Sequence, residues 1–280
     1  MNFLAGDIGG TKTLLAIYHW DNGLQKRFFK KYNSTEWDSF YSIVSDFISN
    51  LPKDIEHPVC GCIGVAGIIL NNFCKVTNLD WEISSLKVRQ IANLRTFELI
   101  NDFSVLIYGI KYFKETQYTN IQVGNKTNNN YKNGLVAILG AGTGLGLTRG
   151  LINSREITLL PSEGGHCEFS PRSEKEWEIS KWLKKDLQLK RLSLEKVISG
   201  CGLGNLGRWR LMKEDAKNHP LRDMAHNLHS SNQHKKEFPA LISQLANAGD
   251  EFMQEVLQIW LSAYGSAAGD IALQELCYGG

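Results

Sequence analysis

Two glycine-dense turns, each between strand-forming residues, constrain the fold of this chain more than any other feature. The first reads GDIGGTK at residues 6–12, after the apolar residues Phe3 to Ala5 and before TLLAIYHW at 13–20. The second reads GAGTGLG at 140–146, after LVAIL at 135–139, and leads into LGLTRGLI at 145–152. β-Branched and aromatic residues on both sides of such a turn read as a hairpin. Glycine is costly to order, so this many at a strand end points to backbone brought close to another group. The same plan recurs about 130 residues apart, as two related halves facing one cleft would have it.

The second turn is not a dinucleotide fingerprint, which wants G-x-G-x-x-G between a strand and a helix. Counting from Gly140 puts Leu145 in the sixth position, counting from Gly142 puts Leu147 there, and the next segment reads as a strand. A Walker loop needs Gly-Lys before Ser or Thr, and the sequence contains no Gly-Lys dipeptide. Two readings remain. The turns are ordinary tight hairpins, for which glycine is also preferred, or their backbone N–H groups wrap phosphate oxygens that no Cβ keeps away. The first turn adds Asp7, Thr11 and Lys12. A carboxylate beside phosphate is repulsive unless a divalent cation intervenes, so Asp7 suggests a hydrated Mg²⁺, held directly or through water.

The chain of 280 residues is long enough for about two domains, and 42% apolar residues can fill a core for each. Thirty-one basic and 29 acidic residues leave a net charge of +2, which asks for neither nucleic acid nor an anionic membrane as partner. Six cysteines are too sparse for a secreted disulfide framework, and reduced and cytosolic is the better reading. The opening MNFLAGDIGG lacks the basic and apolar regions of a signal peptide, and no apolar run reaches membrane-spanning length.

Between the turns the pattern predicts a helix over 37–49, a strand over 59–65 and a strand over 97–100 that runs straight into a helix beginning at Asn101. The Asn-rich stretch 123–134 reads as a surface loop or linker. Helices are predicted over 174–187, 194–198, 203–213, 239–248 and 251–276, with Phe252, Val256, Ile259, Ala263, Ala267 and Ile271 on one face of the last. Ser199-Gly200-Cys201-Gly202 is predicted to separate two helices as a C-cap and turn. Asp102, at a strand-to-helix junction, suits either a helix cap or a general base. Glu195 reads as an acid in a first helical turn and His166, taken alone, as a structural histidine. His226, His229 and His234 lack zinc spacing and read as a solvated polar loop, and Cys60 and Cys62 share a strand face as core residues.

Taken together, GDIGGTK at 6–12, INDF at 100–103, GAGTGLG at 140–146, LPSEGGH at 160–166 and LSLEKVISGCGL at 192–203 resemble the bacterial glucokinase family, in its order and spacing from residue 3 to residue 280. That family belongs to the sugar kinase, Hsp70 and actin superfamily. The resemblance implies an α/β actin-like ATPase fold (ribonuclease H-like) of two domains around a cleft, here expected at 1–113 and 114–280. It implies that ATP phosphorylates the 6-hydroxyl of glucose, with ATP and Mg²⁺ as cofactors, and a homodimer is compatible with it. Carried over by motif, Gly6, Asp7, Ile8, Gly9, Gly10 and Thr11 form the first phosphate loop, and Gly140, Gly142, Thr143 and Gly144 the second. Asn101, Asp102, Glu163, His166 and Glu195 resemble the sugar ligands, and Asp102 falls where the family keeps its general base. Only Cys167 lies in 167–200, unlike the related repressor and kinase family with its cysteine-rich zinc motif.

The resemblance further implies a strand opening at Gly279-Gly280 and a closing helix after it, which this sequence does not contain. On that reading the catalytic centre is encoded in full and the adenine side in part. The competing readings are a sugar-binding regulatory protein that has lost the chemistry, and an actin-like filament or chaperone ATPase. The last would have no use for Glu163, His166 and Glu195.

Overall fold

Alternating burial along Asn2–Ile8 (β1) and Lys12–Trp20 (β2) pairs them as an antiparallel hairpin with Leu4, Ile8, Leu15 and Ile17 facing the core. The first turn is shorter than the glycines suggest. Gly6, Asp7 and Ile8 continue the ladder opposite Leu15, Leu14 and Thr13, so only residues 9–11 leave it. A Cβ at Gly6 would lie 2.6 Å from Leu15 Cδ2, so glycine there serves strand packing as well. The computed structural model describes residues 1–77, 79–122, 134–153, 156–277 and 280. The Asn-rich stretch read as a loop or linker lies, up to residue 133, outside the described residues, as do Tyr278 and Gly279.

The chain divides into the units Met1–Thr119 and Asn120–Gly280. In the first, Leu24–Asn33 (β3) extends the hairpin, followed by Phe40–Ser49 (α1), Cys60–Val65 (β4), Ile69–Leu70 (β5), Phe73–Lys75 (β6) and Glu82–Ser84 (β7). Ser85–Ile91 (α2), Thr96–Asn101 (β8) and Val105–Gly109 (α3) complete it. The main sheet has the order β3-β2-β1-β4-β8, with β4 parallel to both β1 and β8. Phe40, Ile43, Val44 and Phe47 of α1 pack on it. That helix starts later than expected because the Ser39 hydroxyl accepts the Ser42 N–H and caps it there. β8 does not run straight into a helix: residues 102–104 form a turn before α3.

In the second unit, Gly134–Ala141 (β9), Leu145–Ile152 (β10) and Ile157–Leu160 (β11) form an antiparallel sheet of order β11-β10-β9. This repeats the β3-β2-β1 plan of the first unit, so the duplication read from the turns is structural. On the other edge of β9 the Ala137 N–H donates to the Gly280 carbonyl. Beside that edge Leu139, Tyr264, Ile271 and Cys277 help line a cavity of about 260 Å³. The helices are Glu174–Asp186 (α4), Glu195–Ile198 (α5), Gly200–Leu211 (α6), Arg222–His226 (α7), Asn232–Asn247 (α8) and Glu251–Glu275 (α9). Among the described residues no helix is long and apolar enough to cross a membrane.

Three expectations need correcting here. Residues 200–202 are not a turn: Ser199 is the C-cap of α5, as expected, but also the N-cap of α6, its hydroxyl accepting the Gly202 N–H, and the glycines lie in the first helical turn. Glycines cost a helix about 1 kcal/mol each against alanine, while burying Leu203, Leu206 and Leu211 returns about 1.5–3 kcal/mol apiece. Burial wins, and α6 is the axis of this unit's core. Second, α8 begins at Asn232 and contains Pro239, because Ser231 caps it and Phe238 and Ile242 are fully buried on either side of the proline. His226 and His234 therefore lie in helices instead of a loop. Third, the buried stripe of α9 includes Met253 with Val256, Ala263 and Ala267, while Phe252 and Ile259 flank it half-buried.

The start of α9 joins capping to a buried polar pair. Asp250 Oδ1 accepts the Met253 N–H at 2.9 Å, and its Oδ2 lies 3.0 Å from Nε2 of buried His219. The Leu221 N–H donates to His219 Nδ1, which places the imidazole proton on Nε2, facing Asp250. Burial alone would raise the Asp250 carboxyl, but the Met253 N–H and His219 hold it below the ordinary range. Its contribution to stability is thus present above the unfolded pKa of about 3.9 and lost as pH falls through the lower folded value. Asp250→Ala is expected to cost about 1–2 kcal/mol at pH 7 in urea unfolding. The difference from the parent should shrink in acid.

Candidate functional site

Each turn holds its carbonyls inward and leaves N–H groups unclaimed. In the first, the Gly9 N–H donates to the Lys12 carbonyl at 2.8 Å, the Ser34 N–H to the Thr11 carbonyl at 3.1 Å, and the Ser34 hydroxyl to the Gly9 carbonyl at 3.2 Å. Ser34 is fully buried and also meets the Thr13 hydroxyl at 2.9 Å. Among the described residues nothing accepts the Gly10 or Thr11 N–H. Thr11 is exposed and Gly10 half-buried.

In the second, residues 142–144 leave the ladder between Ala141 and Leu145, so Gly140 belongs to β9, opposite Gly146. The Gly200 N–H donates to the Gly142 carbonyl at 2.8 Å and the Cys201 N–H to the Thr143 carbonyl at 3.3 Å. The first N–H groups of α6, which would otherwise attract an anion themselves, are spent on holding this turn. The N–H groups of Gly142, Thr143 and Gly144 have no acceptor among the described residues. Successive free N–H groups on a turn of this kind are an anion-binding concavity.

Asp7 lies at the end of β1, and its carboxyl titrates above the ordinary range, through partial desolvation and then the negative charge of Asp102. The two carboxylates of this unit are therefore neighbours. Asn101 ends β8, where its Oδ1 accepts the N–H groups of Phe103 and Ser104, both at 3.0 Å, while its Nδ2 donates to the Gly67 carbonyl at 3.3 Å. The turn is satisfied by Asn101, so Asp102 is not needed as the cap. Asp102 is exposed; its Oδ1 accepts the Phe103 N–H at 2.9 Å and its Oδ2 accepts nothing among the described residues.

Glu163 precedes and His166 ends a short helical turn, Gly164–His166, and their side chains, both exposed, approach to 3.7 Å. Glu195 opens α5 and is only 21% exposed. Backbone pairing joins the two segments: the Leu194 N–H donates to the Cys167 carbonyl, and the Phe169 N–H to the Leu192 carbonyl. Both segments then meet Leu145. The Leu145 N–H donates to Glu195 Oε2 at 3.2 Å, and a Cβ on Gly165 would lie 2.1 Å from the Leu145 carbonyl oxygen. Glycine at 165 thus lets the segment carrying Glu163 and His166 lie against the end of the turn.

Sequence reasoning missed Ser34, whose contacts span 25 residues and which no local pattern marks. It also missed the α6 N-terminus, where the density of glycine beyond what a turn needs was the available signal.

Because the folded state holds the Asp7 carboxyl raised, it favours folding only below the unfolded pKa of about 3.9, and that contribution is lost as pH rises through the folded value. Ionised Asp7 therefore costs stability at neutral pH. Asp7→Asn is expected to raise the Tm at pH 7, with the gap to the parent closing toward pH 4, as followed by thermal unfolding.

A family model described as Glucokinase matches residues 4–280. A glucokinase of Nostoc sp. is 32% identical over 288 aligned residues, which cover 99% of this chain and 82% of that protein. Among solved structures, a glucokinase from an Antarctic psychrotroph matches with a TM-score of 0.78 at 28% identity, over 100% of this chain and 81% of its own. Glucokinase of Balamuthia mandrillaris in complex with glucose shares the fold at 18% identity, with a TM-score of 0.71 over 99% of this chain and 77% of its own. With the repeated hairpins and α/β units described above, these matches identify the actin-like ATPase fold, and the chain belongs to the glucokinase family.

Proposed function

We propose that this chain is an ATP-dependent hexose kinase that transfers the γ-phosphoryl group of ATP to the 6-hydroxyl of D-glucose. The hydroxyl oxygen attacks the γ-phosphorus, its bond to the bridging oxygen of the leaving ADP breaks, and Asp102 takes the hydroxyl proton. The observation that carries this reading is the division of labour at the end of β8. Asn101 satisfies the turn, which leaves Asp102 exposed with an unclaimed oxygen. Phosphoryl transfer asks mainly for positioning and charge neutralisation, plus a base for the acceptor hydroxyl.

The free N–H groups at 10–11 and 142–144 suit phosphate oxygens. Glu163, His166 and Glu195, with Asn101 and Asp102, suit a sugar, whose hydroxyls both donate and accept. A wrong hexose would leave one of these groups unpaired, which is how side chains of this kind discriminate. Among the described residues no group of three or more His, Cys, Asp or Glu side chains could cage a metal. Asp7 beside Asp102 nevertheless fits Mg²⁺, which usually takes one or two carboxylates and completes its shell with water and phosphate. When bound, Mg²⁺ neutralises phosphate charge; Asp7 would hold it, directly or through water.

Glucose-dependent ADP formation with Mg²⁺ in the parent tests the reading, and its absence would overturn it. Asp102→Asn is expected to lower turnover by about 10²–10⁴-fold while glucose affinity changes little. Unchanged turnover in that variant would remove Asp102 from the role of base.

A further inference from the structure

We propose that Glu195 is a positioning residue that ties hexose occupancy to the shape of the 142–144 turn, one carboxylate oxygen serving each. This rests on the reading of Glu195 as a sugar ligand and of the turn as a phosphate cradle. The coupling between them is a separate claim.

The turn is fastened at three points. Two are backbone, the N–H groups of Gly200 and Cys201 on the carbonyls of Gly142 and Thr143. The third is a side chain: Glu195 Oε2 accepts the Leu145 N–H at 3.2 Å and so fixes the plane of the peptide joining Gly144 to Leu145. Gly144 has to be glycine for this, since a Cβ there would lie 2.6 Å from that same oxygen. The carboxylate is mostly buried, and among the described residues its Oε1 accepts no hydrogen bond, the Lys196 Nζ standing 3.7 Å away as a longer ion pair.

Oε1 is therefore the oxygen left for a sugar hydroxyl. A hydroxyl donated to it anchors the carboxylate from the far side and restricts its swing. The same restriction steadies the Leu145 N–H bond and the Gly144 peptide, and with it the direction in which the free N–H groups of the turn point. Hexose and nucleotide then bind cooperatively, and linkage makes the effect reciprocal. Glu195 joins the two sites through one rigid group, in addition to any direct contact between the ligands.

The test combines amide hydrogen–deuterium exchange at Leu145 with calorimetric binding of a non-hydrolysable ATP analogue and Mg²⁺, each with and without glucose. In the parent, glucose is expected to slow exchange at Leu145 and to tighten analogue binding about tenfold, within the usual range of such couplings. Glu195→Gln keeps an acceptor for the Leu145 N–H and should retain much of both effects. Glu195→Ala should lose both. Gly144→Ala keeps Glu195 but pushes its carboxylate off Leu145, so glucose should still bind while neither slowing exchange nor tightening the analogue.

Full coupling in Gly144→Ala would overturn the proposal, as would glucose binding in the parent with no change at Leu145. A parent that binds no glucose at all would instead overturn the sugar-site reading, and the coupling with it. Unaltered exchange along α6 in each variant shows that a lost effect is not lost folding.

Discussion

Two backbone hydrogen bonds, from the N–H groups of Gly200 and Cys201 to the carbonyls of Gly142 and Thr143, set much of what surrounds them. Each is worth only about 1 kcal/mol net, but both are required to turn the peptides of residues 142–144 outward. For them to form, the first turn of α6 must come within contact of the β9–β10 turn, which explains glycine at 200. A Cβ there would lie 2.8 Å from the Gly142 carbonyl oxygen. The helix must also be held still. α6 is buried among α4, α8 and α9, and Trp260 of α9 donates its indole N–H to the carbonyl of the N-cap Ser199 at 3.0 Å. A core that looks like ordinary helix packing thus fixes the aim of an exposed loop.

The first unit reaches the same arrangement by other means. Behind the β1–β2 turn lies no α-helix like α6 among the described residues but a single 3₁₀ turn, Ser34–Glu36, whose first residue, buried Ser34, supplies one N–H and one hydroxyl to the carbonyls of Thr11 and Gly9. The sheet order is shared, three antiparallel strands with the glycine turn between the first two, while the brace differs. The sheet plan fixes where a turn lies, and the choice of brace is left to whatever packs behind it. Asp7 and Asp102 distinguish the first unit further, because two neighbouring carboxylates lie together there, whereas the second turn meets the single carboxylate of Glu195.

Much of this was legible in the sequence wherever a local cause operates. The hairpins showed in the alternation around the glycines, and α4 and α9 in their periodicity. What misled was glycine itself. Residues 199–202 look like a break because glycine lowers helix propensity, yet the propensity of α6 is overridden by burial on every side. Pro239 looks like a helix start because it suits a first helical turn, while Ser231 caps the helix eight residues before it. At the candidate site, the sequence marked Asn101 and Asp102 as neighbours but not their different duties, which depend on an Asx-type turn seen only in three dimensions. Ser34 and the Glu195 bond to Leu145 span 25 and 50 residues, and no pattern along the chain encodes them.

The inward carbonyls of both turns have a consequence for how such a protein changes over time. The unclaimed N–H groups at 10–11 and 142–144 belong to the peptide backbone, not to side chains. Substituting an exposed side chain such as that of Thr143 leaves those groups in place, so the turn is insulated from drift there, though not at Gly144, where a Cβ would lie 2.6 Å from Glu195 Oε2. The other vulnerable points lie elsewhere, in a buried serine and in a helix whose glycines allow close approach. Sequence change is tolerated at the rim and resisted at the scaffold, the reverse of a pocket that reads its ligand with side chains.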